Sequence, residues 1–142
     1  MKTSLKLKVW PVIAGLLSAF IIMTLLEYLN SLIYPLPEGI DIYNPAVIKA
    51  FTASLPWTAY ILVLFGWILG AFKAGCVTTY LSKERAYKLS FLVGIILTIL
   101  GIINNILIGH NMFFNIIGLP MFILFTYLGH KYVLRIYKGG IQ

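Results

Sequence analysis

Glu27 is the one acidic residue inside the apolar runs of this sequence, and Asn30 follows it three positions later. On a helix, residues three apart are neighbours on one face. A carboxylate at membrane depth is costly, and it persists where it has a partner or takes part in binding or moving something. Other polar side chains interrupt apolar runs at Asn104, Asn105 and Asn115. A carboxylate among amides can exchange a proton and accept hydrogen bonds from the donors around it. The same residues also suit a purely structural role, because amide side chains between membrane helices hydrogen-bond across the contact for about 0.6 kcal/mol on average.

The elements that would position these groups follow from composition. Of 142 residues, 61% are hydrophobic and 11% charged, against about 45–50% and about 25% in an ordinary soluble domain. Four spans of about 20 residues with their loops use nearly all of the chain, so residues 1–142 read as a single integral membrane domain. The spacing predicts spans at about 9–33, 57–81, 89–108 and 112–132, an all-α, polytopic membrane four-helix bundle. The run after Lys8 is longer than a signal-peptide core and no A-x-A-like site follows it, so it reads as a first span that is retained. Pro11 falls in the first turn of that span, where a missing N–H does no harm, and Gly118 with Pro120 predicts a kink in the fourth.

Between spans one and two, Tyr34-Pro35-Leu36-Pro37 cannot continue a helix. Asn44-Pro45 is a helix-start signal, and Val47, Ile48, Phe51 and Leu55 then share a face. Residues 45–55 therefore read either as a short helix on the membrane surface or as the first turns of span two. Gly66, Gly70 and Ala74 recur every four residues in span two, a small-residue face that lets another backbone approach within the bundle or between protomers. Cys76, the single cysteine, excludes an internal disulfide and reads as a packing residue.

The net charge of +7 is not the footprint of nucleic-acid binding, because the basic residues cluster at the ends of apolar runs rather than along one face. Three precede span one, Lys49 lies between spans one and two, three lie between spans two and three, none between three and four, and three run from Lys131 onward. By the positive-inside rule both termini and the Lys83 loop are cytoplasmic. In that topology Glu27, Asn30, Asn104, Asn105 and Asn115 fall at similar depth in the outward half of the bundle. Lys73 lies about 20 Å from Glu27 along the membrane normal at about 1.5 Å per residue, too far to pair with it. His110 and His130 fall near span ends on opposite sides and read as surface histidines. No hydrolase, metalloprotease or phosphate-loop signature is present, and the expectation is a protein without catalytic residues, metal or cofactor.

The outer loop Tyr34-Pro-Leu-Pro-Glu-Gly-Ile-Asp41, the carboxylate late in span one and the Gly66-Trp67-x-x-Gly70 stretch together resemble small bacterial four-span integral membrane proteins. The resemblance implies a multi-pass protein of the cytoplasmic (inner) membrane and brings no particular activity with it. Two roles fit these residues. One is a non-enzymatic interaction or accessory component, with the lipid bilayer and a second copy or membrane partner meeting it through the small-residue face of span two. The other is a small proton-coupled transporter using Glu27.

Overall fold

The computed structural model describes the backbone of residues 5–82, 87–109 and 112–139 and the side chains of 9–82, 87–109, 112 and 114–137. The Lys83–Ala86 loop and His110, on which part of the expected topology rests, lie outside the described residues. Those described form five helices: α1 (Leu5–Ile33), α2 (Pro45–Ser54), α3 (Trp57–Leu81), α4 (Tyr87–Ile108) and α5 (Met112–Gly139). All except α2 contain a stretch long and apolar enough to cross a membrane, at Val9–Ile33, Trp57–Leu81, Tyr87–Ile108 and Phe114–Tyr137. Large apolar side chains such as Ile21, Ile106 and Ile116 cover the outside, as a bundle solvated by lipid requires. The fold is that of an all-α, multi-span membrane protein.

Helix ends differ from the sequence reading in three places. α1 begins at Leu5, so Pro11 lies in its second turn rather than its first, fully buried. α4 starts at Tyr87. α5 passes through Pro120 as one helix and runs on to Gly139, seven positions beyond Tyr132.

α3 is the hub: it packs on α1, α4 and α5, while α1 and α5 do not meet among the described residues. The α1 contact surface runs along Gly15, Ala19, Met23 and Leu26, one to each turn of the helix. Against it lies the Gly66, Gly70, Ala74 face of α3, within the same chain. A side chain on Gly66 would meet Leu26, one on Gly70 would meet Met23 and the Ala19 carbonyl, and one on Gly15 would meet Thr78 and the Ala74 carbonyl. Numbers rise on α1 as they fall on α3, so the two helices are antiparallel. This register sets Glu27 level with residues 64–65 and leaves Lys73 about 12 Å further along the axis at about 1.5 Å per residue, closer than the sequence reading had it. Lys73 is exposed and makes no ion pair with Glu27.

On its other side α3 meets α5 through reciprocal glycines, Gly75 against the Thr126 backbone and Gly129 against the Phe72 backbone. Towards the α2 end, Trp67 stacks on Phe122 and meets Phe114 edge-on, each with ring centroids 4.9 Å apart. Such aromatic pairs add about 0.5–1.5 kcal/mol beyond burial alone.

α2 forms its own helix. Its cap Asn44 accepts a hydrogen bond from the Ala46 N–H at 3.0 Å, Pro45 occupies the first helical position, and extended backbone at Leu55 and Pro56 separates it from α3. The Tyr60 hydroxyl donates to the Thr52 carbonyl at 2.6 Å and ties α2 to α3.

Candidate functional site

Both α1 and α4 run antiparallel to α3 and rest on it, but they touch each other only lightly. The result is a cleft between them, open to the side, with α3 as its floor. Two cavities occupy it, and Glu27 from α1 and Asn104 from α4 stand in the walls of both. The inner cavity, about 290 Å³, reaches the bundle core between Phe20, Met23, Leu97, Trp67 and Phe122. Its outer neighbour, about 380 Å³, is bounded by Asn30, Ser31, Thr52, Tyr60 and Leu36. Among the described residues, no lysine, arginine or histidine lines either one.

Glu27 makes no hydrogen bond or ion pair with any described residue. Amide donors from Asn30, Asn104 or Asn105 were the expected scaffold for this carboxylate, and none of them reaches it. The neighbouring Asn30 Oδ1 is buried and also unpartnered among the described residues. An orphaned buried acceptor costs about 1–3 kcal/mol. The cleft thus presents one carboxylate without donors among the described residues, where the two cavities meet and Asn104 faces it from the opposite wall.

The remaining members of the expected cluster lie elsewhere. Asn105 is buried, one turn beyond Gly101 on the face of α4 that packs on α5, and both of its amide atoms lack partners among the described residues. Asn115 is half-buried in the first turn of α5 and lines neither cavity. Consecutive residues on a helix diverge by about 100°, so Asn104 and Asn105 cannot both face the cleft.

His130 is buried rather than at the surface. Its Nδ1 lies 3.0 Å from Thr79 Oγ1, which is 2.9 Å from Ser90 Oγ, and all three residues are buried. This chain of polar groups joins α5, α3 and α4 at the end of the bundle remote from α2. A hydroxyl in an apolar run was the available sequence signal, but it does not say which helix it will face. The trio behaves as interhelical glue. Thr79→Val should leave both neighbours without their shared partner and lower stability by about 1–2 kcal/mol, read as a drop in the thermal midpoint of purified protein. Thr24→Val, at an exposed position, should move it far less.

Compared with known proteins, the chain matches no family model, no curated protein and no solved structure.

Proposed function

We propose that this chain is a non-enzymatic accessory protein of the bacterial inner membrane that works by holding a membrane-embedded ligand or partner in the α1–α4 cleft. The observation that supports this reading is the state of Glu27: the carboxylate that interrupts the spans lines two cavities and is bonded to no described residue. A structural carboxylate would be held by donors. The small-residue face of α3 is taken by α1 within the chain, so a partner or second copy is better placed at the cleft than on that face. Both termini are cytoplasmic in this reading, and α2 roofs the outer end. A reporter that is active only outside the cytoplasm, fused after Gln142, should therefore be silent.

A second reading, a small proton-coupled transporter, is favoured by one further feature. Because both cavities share Glu27, a proton and a ligand would compete for the same carboxylate, which is the minimum that coupling requires. The measurement that separates the readings is proton release from purified protein on addition of a panel of organic cations. Release that saturates with cation supports exchange at Glu27. Cation binding without release leaves the holding role.

A further inference from the structure

We propose that the α1–α4 cleft binds a single-chain amphiphile with a primary ammonium head, taken in sideways from the bilayer, with the head at Glu27 and Asn104 and the chain in the inner cavity. This rests on the reading that the cleft is the working site, and it names the occupant from the shape and chemistry of the walls.

Size comes first. The two adjoining cavities measure about 290 Å³ and about 380 Å³, in the range of small-molecule sites of about 300–1,000 Å³. From Phe20 to Asn30 on α1 the cleft runs ~15 Å at 1.5 Å per residue, a length that an extended alkyl chain fills.

Polarity orients that chain. The inner cavity is walled by Phe20, Met23, Leu97 and Phe122, which suits an alkyl chain. Hydrogen-bonding groups gather in the outer cavity, towards α2, at Asn30, Ser31, Thr52 and Tyr60. An amphiphile seated with its head there would have the same orientation as a lipid in the leaflet on the α2 side.

Charge then selects the head. With Glu27 in both walls and no basic residue in either among the described residues, a phosphate or carboxylate head would meet like charge and no counter-ion. The Asn104 amide, which lines both cavities opposite Glu27 and has no bond among the described residues, offers an oxygen that calls for a donor as well as a positive charge. A quaternary ammonium supplies charge without an N–H, and an alcohol supplies a donor without charge. A primary ammonium, with three N–H donors, satisfies the carboxylate and the amide oxygen together.

Trp67 lines the inner cavity and provides the readout. With Trp10 and Trp57 replaced by phenylalanine, it is the sole tryptophan of the chain. The protein is placed in phosphatidylcholine nanodiscs and titrated with a long-chain primary alkylamine brominated along its chain, whose bromines quench an indole only on contact. Saturable quenching is expected. Glu27→Gln should weaken it about tenfold or more, equivalent to ~1.4 kcal/mol, and Asn104→Leu should weaken it in the same direction. Thr24→Phe, which fills the inner cavity from an exposed position, should abolish it. The trimethylammonium and alcohol analogues of the same chain should compete about tenfold less well, and a short-chain amine less well still.

Equal competition by those analogues or by the short-chain amine would overturn the amphiphile assignment. If Glu27→Gln still weakened the binding, the cleft itself would survive as the working site. Quenching that never saturates, or a second protein's helix held in the cleft with Trp67 unquenched, would also overturn it. Proton release by small cations then judges the role of Glu27 separately.

Discussion

Gly75→Leu is expected to leave no folded bundle: the purified protein should elute as aggregate, with no cooperative thermal transition. A β-carbon built on Gly75 would lie 2.7 Å from the carbonyl carbon of Thr126 and 2.9 Å from its Cα. The obstacle is backbone, which cannot rotate aside, so α3 and α5 would have to separate. Gly129 answers from the other helix, where a β-carbon would meet the Phe72 carbonyl and lie 3.0 Å from the Cys76 nitrogen. Even Gly75→Ala should reach or exceed the upper end of the about 1–3 kcal/mol that overpacking costs. The Gly70 contact with α1 is softer. Its nearest obstacles are the Met23 Cε and Cγ at 2.8 and 2.9 Å, a flexible thioether chain, with the Ala19 carbonyl behind at 3.1 Å. Gly70→Ala should therefore be milder than Gly75→Ala, while Gly70→Leu, too large for Met23 to clear, should disturb assembly as well. Thermal midpoints that ranked Gly70→Ala below Gly75→Ala would show that α1, not α5, is the tighter partner of α3.

Apolar runs and basic ends mark spans because lipid tolerates few charges and no unpaired backbone, and the four apolar stretches lie close to the expected segments. Depth was legible too, since rise per residue is fixed; Glu27, Asn30 and Asn104 share a cleft partly for that reason. Azimuth was not. Which neighbour a helix face meets depends on the order of helices around the hub, and that order sends Asn105 towards α5 and brings Gly75 and Gly129 together. His130 shows how one misplaced end changes a residue's role. With the helix ending at Tyr132 it would sit at an interface, but α5 continues to Gly139, and the close packing of Gly129 on α3 sets the next residue against Thr79. The lack of bonds at Glu27 was likewise beyond the sequence, because nearby amides in the chain do not say where their side chains point.

Glu27→Gln should separate function from fold more sharply than any other single change. The carboxylate is bonded to no described residue, so its removal breaks no bond that holds the bundle, and the isosteric amide keeps one acceptor oxygen in place. The thermal midpoint should shift by no more than the about 0.5 kcal/mol typical of positions outside the packed core. Any cation-induced proton release that the parent shows should disappear altogether, since glutamine has no proton to exchange in this range. Glu27→Lys extends the argument in sign: its long stem can carry the ammonium towards the α2-side interface, so the bundle should still form, while a fixed positive charge at the cleft should exclude cations entirely. A Gln variant that unfolded several degrees below the parent would make Glu27 part of the scaffold after all, with donors that act only in the bilayer. A Gln variant that melted like the parent, and still released protons, would move the exchangeable group out of the cleft. Only unchanged melting with lost release places the chemistry at the one carboxylate that the spans retain.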